Sequence, residues 1–250
     1  MEPRFSVLGN HKKGNHMNKQ KQLIQETKPL LRQRKGGAVN LILSSLMIEA
    51  GRMIDEGFKI IDIEQAAQNA FGIKRGFLKQ MDDIGIPESI NFLLYLEDKQ
   101  DSGKDFYEVY DNFFTLPVSF MEKLEEYKIA GEKSSAKWMK KHSLRKKSED
   151  FLLKDMLKNR FKAVSFMVAV ELVESGVSDI ESIERMCKEV LKWEKGPFSM
   201  MNEMGIKEAM GIVTEKMEVS HRLEINFYIP RLLIEQVQKN RPWKGKGIKS

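Results

Sequence analysis

The stretch GGAVNLILSSLMIEAGRMIDEG, Gly36 to Gly57, decides the fold. Val39, Ile42, Leu43, Leu46, Met47, Ala50, Met53 and Ile54 recur in steps of three and one, which is the spacing of a helix with one apolar stripe. Asn40, Ser44, Glu49, Arg52 and Asp55 fall outside the stripe. Gly57 stops the helix. Asp62 is then a good N-cap for a second helix, whose Ala66, Ala67 and Ala70 are small enough for close packing. Gly72 and Gly76 punctuate a turn, and Phe77, Leu78, Met81 and Ile84 give a short third apolar face that ends at Gly85.

Working outward, the same plan returns. Ile183-Glu184 stands 120 residues after Ile63-Glu64, Gly196 answers Gly76, and Gly205 answers Gly85. Ile229-Pro230, with Leu233, Ile234 and Val237, answers Leu116-Pro117, with Phe120, Met121 and Leu124. A helix-start proline, two glycines and an apolar pattern in one register indicate an internal duplication. Phe151 to Gly176 is the long first helix of the second copy. Its middle, Ala163 to Val170, is apolar nearly all round, so it belongs at a bundle centre. Glu88 to Lys99 and Phe106 to Phe114 read as further helices. Period-two alternation is almost absent. The expectation is an all-α fold of 10 to 12 helices with short connections.

The remainder bounds the class. Residues 1–27 are polar and basic and read as a flexible N-terminal arm, with a short helix over Lys19 to Thr27. The first repeat spans 28–148 and the second 149–250, joined by a basic connector, Gly131 to Ser148. Net charge is +6, concentrated in Lys12–Lys35, Lys133–Lys147 and Lys239–Lys249, which reads as solvated arms and linker. No helix-turn-helix, zinc-finger or RNA-binding signature appears, so no specific nucleic acid is expected. No apolar run is long enough for a membrane span, and no secretory signal opens the chain. One cysteine, Cys187, fits a reducing compartment, and the chain is expected to be cytoplasmic.

Motifs for chemistry are few. There is no glycine loop for a nucleotide, no nucleophile elbow and no metal-binding histidine pair. His11, His16, His142 and His221 read as solvated histidines, and Cys187 as a structural thiol. Asp82 and Asp83 point about 100° apart on a helix, so capping or solvation is expected of them. Asn40, in the first turn of its helix, is the remaining candidate. Its amide can cap the helix, or can both donate to and accept from a substrate.

The ordered residues resemble a known family. Gly36 to Leu43, then Glu49-Ala50, Glu56-Gly57, Asp62 to Ala66, Gly72, Gly76-Phe77 and Asp83-Ile84-Gly85 are similar to the C-terminal domain of the 3-hydroxyacyl-CoA dehydrogenase family. In the second repeat Glu171, Gly176, Ile183-Glu184, Gly196-Pro197-Phe198 and Gly205 match, and Asn159-Arg160 resembles the helix-start pair. The family's Asn falls on Asn40, its following Arg on Leu41, and its Phe on Gly37. The resemblance implies two tandem helical bundles like the C-terminal domain of 6-phosphogluconate dehydrogenase, packed as an intramolecular pseudo-dimer. It also implies the substrate-binding and assembly part of an NAD-dependent 3-hydroxyacyl-CoA dehydrogenase of fatty acid β-oxidation. Asn40 would be the catalytic residue, holding the reacting oxygen or placing a catalytic His. The family's NAD-binding Rossmann domain and its His have no counterpart here. The resemblance therefore implies that the chain binds no cofactor or metal by itself, and that NAD comes with a separate Rossmann subunit while acyl-CoA is the ligand. The alternative is a non-catalytic structural or regulatory paralogue, since Leu41 and Gly37 depart from the family pattern.

Overall fold

The computed structural model describes residues 37–101, 113–130, 137–139 and 150–245. His11, His16 and His142, the helix expected over 19–27, the segment 106–112 and most of the connector 131–148 lie outside these residues. The chain divides into residues 1–35 and a compact unit over 36–250, which holds both repeats. Among the described residues there are ten helices and no strand. The first repeat contributes α1 (Ala38–Asp55), α2 (Ile60–Phe71), α3 (Phe77–Ile84), α4 (Ile86–Asp101) and α5 (Val118–Ala130). The second contributes α6 (Phe151–Glu174), α7 (Ile180–Glu189), α8 (Pro197–Met204), α9 (Ile206–Arg222) and α10 (Arg231–Lys239).

The two copies match element for element, including their joints. Gly85 and Gly205 each stand alone between two helices, at φ 118° and 93°. That backbone region suits only glycine, so the turn and the residue are tied. Gly72 closes α2 at φ 67°, and Lys192, its counterpart, takes φ 60° without being glycine. Pro117 and Pro230 immediately precede α5 and α10. A proline there needs no N–H for the helix and fixes φ in advance.

Several expected boundaries shift: α4 runs from Ile86 to Asp101 rather than Glu88 to Lys99, and Phe113 and Phe114 lie in a turn rather than closing a helix. Asp62 is not the N-cap of α2; Lys59 holds that position and the helix begins at Ile60. Starting earlier places Ile61 and Ile63 in the core, and Asp62 still lies in the first turn, where the helix dipole favours a carboxylate. In the second repeat Asp179 does cap α7, accepting from the Ser182 N–H at 2.8 Å.

The core is continuous through both repeats. The helix α6 runs through it, with α1 and α2 of the first repeat and α9 of its own along its length. Ala163 to Val170 are all buried, as the unbroken apolar run requires. Across the repeats, Phe71 stacks on Trp193 with ring centroids 3.9 Å apart, and the Glu194 N–H donates to the Phe71 carbonyl at 2.9 Å. Where α1 meets the start of α5, Gly51 leaves room for Pro117 and Phe120; a Cβ there would come within 2.6 Å of Pro117.

Candidate functional site

Asn40 stands in the first turn of α1, three residues after Gly37, whose carbonyl accepts its N–H at 2.8 Å. Gly37 occupies the N-cap with extended backbone and offers no side chain to cap the helix. Asn40 is 5% exposed and Leu41 beside it 3%. A buried amide must satisfy both its donors and its acceptor, so this end of α1 is ordered around a polar group.

A second polar centre lies further along α1, roughly 13 Å up the helix axis at 1.5 Å per residue. Glu49 is fully buried there. Arg160 on α6 reaches its Oε1 with Nε at 2.8 Å and with a second guanidinium nitrogen at 2.6 Å. The same arginine makes a two-pronged contact to Glu56, at 2.7 and 2.6 Å. Lys216 on α9 places Nζ 2.9 Å from Glu49 Oε2. Arg52, one turn after Glu49, donates to the Phe113 carbonyl and lies over the Phe113 ring. Phe58 and Phe227 face Arg160 and Lys216 from their ring sides.

The electrostatics follow from burial. Burial alone would raise the Glu49 carboxyl, but Arg160, Lys216 and Arg52 overcome that and hold it down to about 2. Burial lowers Arg52 to about 10, with Glu49 opposing. Burial likewise lowers Lys216, and Glu49 restores part of the loss. For Arg160 burial works downward, but Glu49 and Glu56 prevail and raise it. The cluster is thus a fully charged network in an apolar shell, stable only while its members remain together.

The other predicted residues are structural. Cys187 is buried, and burial with Glu184 nearby raises its thiol, so it is not a nucleophile. His221 is exposed in the last turn of α9. Asp82 and Asp83 do not converge: Asp82 accepts the Trp138 and Met139 N–H groups at 2.8 and 3.0 Å, while Asp83 pairs with Arg75 and Lys79. No cluster of metal-ligating side chains occurs among the described residues, and no helix there is long and apolar enough to cross a membrane.

By helical spacing alone Glu49 and Arg52 fall off the apolar stripe, Arg160 stands out only through its motif, and Lys216 does not stand out. Two signals were available. Glu49 sits three residues after Leu46 and four before Met53, within the buried sector. Arg160 and Lys216 stand where the first repeat has Leu41 and Leu96, both buried.

A family model supplies the external comparison. The model described as 3-hydroxyacyl-CoA dehydrogenase, C-terminal domain, matches residues 36–141 and again residues 156–247. No curated protein and no solved structure matches the chain.

Proposed function

Since the chain belongs to the 3-hydroxyacyl-CoA dehydrogenase C-terminal domain family, we propose that it is the substrate-binding and assembly part of an NAD-dependent 3-hydroxyacyl-CoA dehydrogenase. The reaction is that of fatty acid β-oxidation, in the cytoplasm, with hydride transfer carried out in company with a separate Rossmann subunit. The observation that carries this reading is Asn40. It occupies the first turn of the first matched segment, on the helix that also holds the buried ion network.

The chemistry available here is limited. An asparagine amide can donate to a developing oxyanion and accept from a neighbouring imidazole, so it can hold a reacting oxygen or place a general base. It cannot itself accept hydride or take a proton at neutral pH. All regular structure among the described residues is helical. In this reading NAD binding and the catalytic His belong to the partner, and acyl-CoA to the shared cleft. In this reading the two repeats also stand in for the two subunits of single-repeat relatives, α1 against α6, so the chain need not self-associate.

The burial of Asn40 and the apolar Leu41 beside it favour a second reading, a non-catalytic structural or regulatory paralogue. NADH oxidation with acetoacetyl-CoA separates the two. The chain with a matching NAD-binding subunit is expected to turn over, and Asn40→Ala to lower kcat about 100-fold with the complex intact. A pair that forms no complex and oxidises no NADH would overturn the first reading in favour of the paralogue.

A further inference from the structure

Both acids of the buried ion network come from the first repeat. Glu49 and Glu56 belong to α1 or its C-cap. The bases that meet them, Arg160 and Lys216, come from α6 and α9 of the second repeat. Arg52, the one base from the first repeat, is turned to its own half, where it donates to the Phe113 carbonyl.

The repeat register shows what stands at the matching places. The two first helices align through Asn40 and Asn159, Gly57 and Gly176, which puts Glu49 opposite Val168 and Arg160 opposite Leu41 in the alignment. Gly85 and Gly205 align the fourth helices and put Lys216 opposite Leu96. Val168, Leu41 and Leu96 are all buried in the apolar core. At Glu49, Arg160 and Lys216 each repeat is therefore charged where the other is apolar, whereas Glu56 aligns with Ser175 and Arg52 with Glu171.

We propose that this network is a pairing code, which makes the face of α1 bearing Glu49 accept only the α6–α9 face bearing Arg160 and Lys216, so that a first repeat takes a second repeat and neither takes its like. Two first repeats meeting through α1 would bury Glu49 against leucines, with no cation from the other side but Arg52, which is turned to the Phe113 carbonyl of its own half. Two second repeats would bury Arg160 and Lys216 against valine. An unpaired buried charge is strongly disfavoured, whereas the matched network is compensated. The code holds whether or not the chain takes part in catalysis, because it depends only on the contact between the repeats.

Three full-chain variants test it. Glu49→Val gives the first repeat the second repeat's residue, strands Lys216 and leaves Arg160 with Glu56 alone. Arg160→Leu with Lys216→Leu does the reverse and strands the carboxylate. Each is expected to lower the melting temperature by about 10 °C. All three substitutions together make the Glu49, Arg160 and Lys216 positions apolar on both faces and leave partly exposed Glu56 at the rim. That chain should recover to within roughly 5 °C of the parent. After refolding at high concentration it should also populate dimers by light scattering, where the parent remains monomeric.

Should the triple variant not fold, the two one-sided variants refolded together decide the matter. One exchanged dimer can then form at twice the chain mass, one contact with the parent network restored and the other apolar at all three substituted positions. Its appearance only in the mixture supports the code. The code is overturned if the one-sided variants melt with the parent, if the folded triple variant stays monomeric at every concentration, or if the co-refolded mixture contains no exchanged dimer. These readouts are mass and melting, so they fail independently of any loss of dehydrogenase activity.

Discussion

Glu64 and Glu184 hold the same place in the two repeats and do the same task with different equipment. Each carboxylate lies against a glycine, Gly76 or Gly196, and accepts N–H groups from the start of the following short helix. In the second repeat the set is complete. Glu184 accepts from the Phe198 and Ser199 N–H groups at 2.8 and 3.1 Å and from the Ser199 hydroxyl at 2.7 Å, with Lys188 3.5 Å away. In the first repeat Lys79 replaces the serine. Its N–H reaches Glu64 Oε2 at 3.3 Å, and Oε1 has no hydrogen-bond partner. Burial, with Asp82 nearby, outweighs the backbone donors and raises Glu64 to about 7.

The same contrast recurs at the tryptophan latches. Asp82 accepts from the Trp138 and Met139 N–H groups, whereas Asn202, 120 residues on, both accepts the Trp243 N–H at 2.7 Å and donates to its carbonyl at 3.0 Å. Asp55 receives the first N–H groups of α5, and Glu174 receives that of Leu232 on α10. Within each repeat, then, the anchors are shared and only their chemistry drifts. Between the repeats, at Glu49, Arg160 and Lys216, the two copies have become different in kind. Internal anchors satisfy backbone groups that any copy of the fold must satisfy. The contact between copies has no such obligation and can specialise.

The sharpest way to break this comparison is at the glycines. A Cβ on Gly76 would come within 2.7 Å of the Glu64 carbonyl oxygen as well as its carboxylate, so the backbone of α2 must move. Gly76→Ala is expected to cost about 3 kcal/mol. At Gly196 the three nearest atoms all belong to the Glu184 carboxylate, and Gly196→Ala should cost about 2 kcal/mol as that side chain gives up its bonds. Urea unfolding of both variants checks the order. A larger loss at Gly196 would show that the side-chain bonds outweigh the backbone contact.

Acid–base behaviour is the next difference. Glu64 ionises near 4.5 when unfolded and near 7 when folded. Its folded-state pKa is raised, so between those values the unfolded chain releases the proton first. Stability must therefore fall as pH rises from about 4.5 to 7, and level off above. Against Glu64→Gln, which keeps the shape and cannot ionise, the parent should lose about 2 kcal/mol between pH 5 and 8. A parallel pH profile for parent and variant would show that the first-repeat anchor is as well satisfied as the second. The smallest effects are expected at the latches. Asp82→Ala and Asn202→Ala should each cost about 1 kcal/mol, with the emission of Trp138 or Trp243 shifting toward that of a wetter indole. A common response at both tryptophans would mean that the latches are coupled.

Much of this molecule was legible in its residues. The stripe on α1, the unbroken apolar run at Ala163 to Val170, and the paired glycines and prolines are local signals, set by helical period and backbone sterics. They were enough for an all-α duplicated fold, and the family model matches twice, over residues 36–141 and 156–247. Asn40 was legible as a candidate because it begins a patterned helix. What its amide contacts was not legible, since those groups come from other parts of the chain.

By itself, the sequence determined which segments are helices, where they stop, and that the plan occurs twice. The tertiary structure alone decided that Glu49 and Arg52 point inward, that Arg160 and Lys216 meet Glu49 across 111 and 167 positions of chain, and that Asp82 latches a tryptophan. The reason is physical. Helical periodicity reports which residues share a face, but not what that face packs against. A charged side chain looks solvent-facing until the opposing charge that compensates its burial is brought to it by the fold.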